Sequence, residues 1–409
     1  MSESEKVICS FCGKNKQDTN ILIAGNSAHI CDACIEQANQ IVKEDLNDDR
    51  FSAEDFILLK PKVINEHLND FIIGQEDAKK VISVSVYNHY KRLMQPDTTE
   101  EDIEIEKSNI IMVGRTGTGK TLIAKSIAKL LKVPFCIADA TVLTEAGYVG
   151  EDVESILTRL LQAADYDVEQ ARRGIIFIDE IDKVARKSDN PSITRDVSGE
   201  GVQQAMLKLL EGTVVNVPPQ GGRKHPDQKM IALDTKDILF ISGGAFDGIE
   251  RHISNRMNTS SIGFKSNKGN VIEKDNLLQY ISPQDLKSFG LIPELIGRMP
   301  VVTYLNPLDR KALKLILTEP KNALTKQYQK LFAMDGIALT FDKKAIDIIV
   351  DKAMEFKLGA RGLRSICESV MLDAMFEFPS DESKKDLKIT ATYIKAQLTK
   401  LSFTQLQVA

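Results

Sequence analysis

Residues 114–121 read GRTGTGKT and stand directly behind the apolar run Ile110-Ile111-Met112-Val113. A turn of the form G-x-x-x-x-G-K-T means little alone. Here an apolar strand precedes it and a helical pattern follows it (Leu122, Ile123, Ile127, Leu130, Leu131), which is the setting in which such a turn holds phosphate. The glycines let backbone N–H groups face inward, and the helix beginning there aims its positive dipole end at the same anion. Lys120 then reaches the terminal phosphates and Thr121 offers its hydroxyl to magnesium. The expected nucleotide-binding set is Gly114, Arg115, Thr116, Gly117, Thr118, Gly119, Lys120, Thr121 and Leu122. A second apolar run, Ile175-Ile176-Phe177-Ile178, ends in Asp179-Glu180, where one carboxylate holds the magnesium and the other polarises a water. A chance glycine-rich turn would explain the first segment but not the second. Nucleotide hydrolysis explains both.

A chain of 409 residues has room for two or three domains, and 43% apolar with 27% charged residues is ordinary for a soluble globular protein. The net charge of −5 argues against gripping nucleic acid through the overall field, though a local basic patch stays open. No apolar stretch approaches a membrane span. The beginning, MSESEKVICS, resembles neither a signal peptide nor an Arg-rich transit sequence, so a cytoplasmic location is expected.

Four of the six cysteines fall in the first 34 residues, as Cys9-x-x-Cys12 and Cys31-x-x-Cys34 with 18 residues between the pairs. That spacing reads as a four-thiolate structural zinc site. Disulfide pairing competes, but a reducing cytosol disfavours it. The segment is too short and polar to fold on an apolar core of its own, and zinc at about 10–16 kcal/mol would make up the shortfall. Cys136 and Cys367 lie in apolar surroundings and read as small core residues.

The pattern along the chain suggests a zinc-binding module over 1–47, closed by a helix from Ile35 to Asp45, and a polar linker over 48–62. A large domain over 63–305 and a small, mainly α domain over 306–409 with a strand at Ile337–Phe341 follow. Strand-like runs at Ile110–Val113, Phe135–Ala138, Ile175–Ile178, Ile238–Ser242 and Val301–Leu305 alternate with helical stretches. Such alternation predicts an α/β fold, a parallel sheet with helices on both faces. Polar segments at 186–200, 216–229 and 254–274 interrupt it, and loops this long inside a compact domain are usually functional or disordered.

Taken together these features resemble the ClpX family, AAA+ unfoldases that feed the ClpP peptidase, over nearly the whole chain from Cys9 to about Leu401. The resemblance implies an AAA+ P-loop NTPase large domain, a small AAA+ domain, ATP, Mg2+ and Zn2+ as cofactors, and assembly as a homo-hexamer. It further implies a zinc module that dimerises and receives substrates and adaptor proteins. Phe71-Ile72-Ile73-Gly74-Gln75 is similar to the stretch that packs on adenine, with Ile72 and Ile73 at the base. Asp179 would support magnesium and Glu180 would activate the attacking water. Arg298, in PELIGRMP, matches an arginine finger acting on the neighbouring subunit's nucleotide, a role worth about 10³–10⁵ in rate in related hydrolases. Arg361, in GARGLR, matches the sensor arginine of the small domain, and Ser242 stands where a polar sensor ends the fourth strand.

The same resemblance assigns the translocation machinery. Gly147-Tyr148-Val149-Gly150 matches a pore loop whose aromatic grips polypeptide by bulk, and Arg195 and Asp196 fall in a second pore loop. Arg223-Lys224-His225 matches a basic loop at the pore entrance that would attract a substrate's C-terminal carboxylate. Ile262-Gly263-Phe264 matches the tripeptide that docks on a peptidase ring, which gives two apolar side chains in a polar loop a reason to be there. Two departures stand out: Arg115 replaces the family's usual proline, and Lys265-Ser266-Asn267 makes the docking loop more polar.

A nucleic-acid motor shares the phosphate loop, the acidic pair and the finger. The acidic net charge and the aromatic pore loop weigh against it. A disassembly chaperone working without a peptidase is the third reading, and no G-x-S-x-G or H-E-x-x-H protease motif occurs in the chain.

Overall fold

The computed structural model describes residues 8–25, 28–47, 58–95, 103, 105–144, 150–186, 199–218, 230–259, 274–356, 359–381 and 385–400. The chain divides into two compact units, Met1–Leu58 and Leu59–Ala409.

In the first unit, β1 (Leu22–Ala24) and β2 (His29–Cys31) form an antiparallel hairpin in which Leu22 faces Cys31 and Ile23 faces Ile30. Helix α1 (Asp32–Asn47) follows at once. It begins three residues before the Ile35 expected from apolar spacing, because Asp32 favours a first turn and Cys34 has its own reason to sit there. Cys9 and Cys31 are buried, whereas Phe11, Ile21 and Ile23 are exposed. Apolar burial in this unit is therefore concentrated on the cysteines.

The second unit opens with α2 (Pro61–Asn69), with proline at its first position, where no N–H is needed. Next come α3 (Glu76–Leu93), β3 (Ile110–Val113), α4 (Lys120–Leu131), β4 (Phe135–Asp139) and α5 (Ser155–Ala163). The series continues through β5 (Ile175–Asp179), α6 (Glu200–Glu211), β6 (Leu239–Gly244) and β7 (Val301–Tyr304). The five strands make one parallel sheet in the order β7-β3-β6-β5-β4. Every residue of β3 and β6 is buried, so these strands read in the sequence as unbroken apolar runs rather than alternating ones. Strand β6 runs two residues past the expected Ser242, because Gly243 and Gly244 continue in register with Met112 and Val113. Inside this layer lie Ile176, Phe240, Ile156, Leu160 and Met206.

Past Asn306 the chain builds a second apolar core around Leu317, Phe332, Ile349, Leu363 and Ile366. Its elements are α7 (Arg310–Thr318), α8 (Leu324–Met334), β8 (Ala338–Phe341), α9 (Lys343–Glu355), α10 (Gly359–Glu377), β9 (Asp386–Ile389) and α11 (Ala391–Lys400). Strand β8 is the one expected near 337–341. Its parallel partner β9 is too short and charged (Asp386-Leu387-Lys388-Ile389) to announce itself. Cys136 and Cys367 are core residues, 6% and 2% exposed.

Among the described residues no helix is long and apolar enough to cross a membrane.

Candidate functional site

The phosphate loop leaves the C-terminal end of β3, a central strand, and enters α4 through Gly119 at φ +105. Gly117, at φ +82, bends the loop against the first turn of α10. Only glycine holds such angles without strain. Gly114 packs so closely on Leu305 that a Cβ there would lie 2.9 Å from the Leu305 Cβ. The motif thus divides its labour. Gly114, Arg115 and Thr118 build the loop, and Thr118 Oγ1 closes it by donating to the Arg115 carbonyl at 2.7 Å. Thr116, Gly117, Gly119, Lys120, Thr121 and Leu122 line a cavity of about 720 Å³. That volume suits a small organic ligand.

Lys120 is buried, and its Nζ donates to the Gly114 carbonyl at 2.5 Å and the Arg115 carbonyl at 3.2 Å. Burial pushes its pKa down, the carboxylates of Asp179 and Asp182 pull it back, and Arg361 adds to the depression. This lysine would gain from an anion placed in the cavity. Thr121 Oγ1 donates to Asp179 Oδ2 at 3.1 Å, so the two side chains expected to share magnesium already touch. The next residue, Glu180, has φ +56, a left-handed conformation that costs a non-glycine residue on the order of 1–3 kcal/mol and recurs at active sites. Its N–H donates to Asp179 Oδ1 at 3.0 Å, and its side chain is exposed along the cavity wall.

The small-domain core supplies the opposite wall through Ile316, Asn322, Leu324, Gln327, Arg361 and Arg364. Arg361 and Arg364 lie three residues apart near the start of α10, on one helix face. Phe71 also lines the cavity. Ile72 is buried and Ile73 half-buried, and neither is among the lining residues. Asp182 is a lining residue the sequence reading passed over. It is 6% exposed, and its Oδ1 accepts the Ala245 N–H at 3.0 Å, tying the end of β5 to the end of β6. Its signal was the carboxylate two residues past Glu180 in IIFIDEID. Ser242 is fully buried in β6, and its Oγ has no hydrogen-bond partner among the described residues.

Two expected arginines stand apart from the cavity. Arg298 faces outward, with Nε and Nη2 donating to Glu211 Oε1 at 3.2 and 3.0 Å. Arg115 is 65% exposed beside Glu250 at 3.9 Å and borders a smaller hollow of about 370 Å³. Tyr148, Val149, Arg195, Asp196, Arg223, Lys224, His225, Ile262, Gly263 and Phe264 lie outside the described residues.

In the first unit the four sulfurs of Cys9, Cys12, Cys31 and Cys34 all lie within 4.8 Å of one another. Cys9 Sγ is 3.9 Å from Cys34 Sγ, and Cys12 Sγ is 3.6 Å from Cys31 Sγ. A disulfide needs about 2.05 Å, so these are not bonded pairs. Four ligands at about 2.3 Å from a tetrahedral zinc stand about 3.8 Å apart. The observed spacings fit that geometry, and the Cys31 N–H donates to Cys9 Sγ at 3.4 Å, as an amide does to a thiolate. The donor set suits Zn2+.

Comparison with known proteins covers both units. A family model described as an AAA domain (Cdc48 subfamily) matches residues 105–302, one described as a ClpX C4-type zinc finger matches residues 7–44, and one described as the C-terminal, D2-small domain of ClpB protein matches residues 308–391. A Bacteroides thetaiotaomicron protein described as the ATP-dependent Clp protease ATP-binding subunit ClpX is 64% identical over 416 residues, spanning 100% of each chain. A Bacteroides fragilis protein of the same description is 63% identical over 414 residues, covering 100% of this chain and 99% of its own. One from Porphyromonas gingivalis is 62% identical over 403 residues, covering 97% of each.

Proposed function

The chain belongs to the ClpX family of AAA+ ATPases, and on that premise we propose that it unfolds tagged proteins with ATP and threads them into a ClpP-type peptidase. The observation that carries the reading is the single cavity where Lys120, Thr121, Asp179 and Glu180 from the sheet domain meet Arg361 from α10. Nucleotide held there touches two separately built cores at once. Its binding and cleavage can therefore change the angle between them, which is the mechanical step a translocase needs.

In this reading Lys120 and the loop amides bind the phosphates, and Thr121 with Asp179 would hold Mg2+, which supplies charge neutralisation on the phosphate oxygens. Glu180, fixed by its left-handed backbone and exposed to the cavity, takes the proton of the attacking water. Arg361 senses the terminal phosphate from the small domain. Arg298, turned away from its own cavity, acts as the finger for a neighbouring copy in a homo-hexameric ring. Tyr148 and Val149, Arg195 and Arg223-Lys224-His225 would grip and admit the polypeptide, and Ile262-Gly263-Phe264 would dock the peptidase. The zinc module would receive substrates and adaptors, in the cytoplasm.

The test is loss of fluorescence from a stable green fluorescent protein carrying an unstructured C-terminal tag. It is incubated with this protein and ATP, with and without a ClpP-type peptidase. Loss that requires ATP, Glu180 and the peptidase supports the proposal. Loss without any need for the peptidase would point to a disassembly chaperone. No loss with any tag, alongside ATPase activity stimulated by DNA or RNA, would replace the reading with a nucleic-acid motor.

A further inference from the structure

Arg298 is restrained at both ends. Its backbone closes the short helix Pro293–Gly297, and its carbonyl accepts a hydrogen bond from Asn109 Nδ2 at 2.8 Å. Asn109 is fully buried one residue before β3. The other end of its amide, Oδ1, accepts the Phe240 N–H of β6 at 3.3 Å, and its own carbonyl accepts the Val301 N–H of β7 at 3.4 Å. One residue, through its side chain and its own carbonyl, thus ties Arg298 to three adjacent strands: β3, which feeds the phosphate loop, β6 and β7. A buried primary amide is costly unless its groups are paired, and here both ends are used.

At the other end, Glu211 takes the guanidinium. Both bonds go to the single oxygen Oε1, from Nε and Nη2. Glu211 is the last residue of α6, immediately before Gly212 at φ +93. Nη1 has no partner among the described residues, so the terminal edge of the fork stays open. A phosphate oxygen is the ligand that edge suits. The pair is half-exposed (51% and 43%), so it adds little to folding stability. Its value lies in direction: it restrains a long side chain and holds the guanidinium on Glu211, outside the lining of its own cavity.

We propose that Asn109 and Glu211 are positioning residues for Arg298, Asn109 fixing the backbone from which the finger projects and Glu211 aiming its guanidinium at the neighbouring subunit's nucleotide. The proposal rests on the reading of Arg298 as a finger acting in trans, and the experiment separates the two.

Full-length Glu211→Ala is assayed for ATP turnover alone and in rings co-assembled with excess Glu180→Gln subunits, with Arg298→Ala in parallel. Alone, Glu211→Ala should lose about tenfold in kcat, with KM within about twofold, because misaimed catalytic groups lose rate rather than ground-state binding. In mixed rings its intact site faces the correctly aimed finger of a Glu180→Gln neighbour. Turnover per Glu211→Ala subunit should then recover by about fivefold, since the lost effect is positional and reversible. Glu211→Gln, which keeps the accepting oxygen, should retain more activity than Glu211→Ala. Recovery of both Arg298→Ala and Glu211→Ala supports the proposal. Recovery of Arg298→Ala alone, or undiminished turnover by Glu211→Ala, overturns it and leaves the finger intact. Recovery of neither removes the finger reading and the proposal together. Asn109→Ala should show the same recoverable defect. Because Asn109 is buried and its loss can unfold the chain, the surface variant Glu211→Ala decides the matter.

Discussion

Gln75 and Asn306 form a reciprocal amide pair across 231 residues of sequence: Gln75 Nε2 donates to the Asn306 carbonyl at 2.9 Å, and the Asn306 N–H donates to Gln75 Oε1 at 2.7 Å. Gln75 is buried at the start of α3 with φ +62, while Asn306 begins the passage from β7 to the small-domain core. Nearby, Tyr304 donates to Asp77 at 2.8 Å, and Lys321 reaches Asp70 at 2.7 Å. The segment beside the nucleotide cavity is therefore stitched to the passage between the two cores.

Gln75→Ala should destabilise the second unit by about 1–3 kcal/mol, since it leaves both backbone groups of Asn306 without their partners. Gln75→Gly loses the same bonds but relieves the left-handed backbone, so its urea midpoint should lie above that of Gln75→Ala. The reverse order would show that strain at this position is negligible.

Glu180→Gln should bind ATP with near-native affinity and hydrolyse it more than about 100-fold slower, the usual scale for losing a general base. Isothermal titration alongside a phosphate-release assay reads both quantities. Turnover within a few-fold of the parent would falsify the assigned role and leave the left-handed turn at Glu180 as a purely structural feature.

The purified protein should carry one zinc per chain, and a strong chelator should unfold the first unit while ATP turnover by the second persists. Zinc supplies about 10–16 kcal/mol in sites of this kind, more than so small an apolar core could replace. Metal analysis and the amide spectrum of residues 8–47 report the outcome. Four sulfurs without metal at neutral pH would sink the assignment.

His89, 3% exposed, gives the second unit a pH-dependent stability. Burial above all, then the charges of Arg92 and Lys107, hold its imidazole down to about 3 against an ordinary 6.5, opposed by the backbone of Asp237. The native state therefore refuses a proton that the unfolded chain accepts below 6.5. Stability is intact above that value and is lost as pH falls toward 3, by about 1.5 kcal/mol between pH 6.5 and 5. Few carboxylates titrate in that upper window, so His89→Gln should flatten the slope of urea stability there. An unchanged slope would place the titrating group elsewhere.

Legibility from sequence followed the range of the interaction. Ile110–Val113 and Ile175–Ile178 were readable because strands covered on both faces must be apolar at every residue. The phosphate loop and the four cysteines were readable because their chemistry is written within a few neighbouring positions. The antiparallel pair Val214–Val217 with Ile231–Asp234 was not, since one of its strands is largely exposed and a polar segment separates the two. Asn109 with Arg298, Glu211 with Arg298 and Gln75 with Asn306 left no periodic signal, because each is made by residues that meet only after the sheet has formed. The small-domain wall of the cavity, Asn322, Gln327 and Arg364, was invisible for the same reason.

At Gly117 a methyl group would lie 3.4 Å from the Ala360 nitrogen and 3.9 Å from the Gly359 Cα, ordinary contact distances, so the gap between the phosphate loop and the start of α10 is about one methyl group wide. Helix α10 has 19 residues, about 28 Å of rigid rod at 1.5 Å per residue. A loop displacement that closes this gap would press on the end of the rod and tilt it. The C-terminal core is thus a lever with its short arm beside the phosphates, and its play is set by the side chain that position 117 lacks.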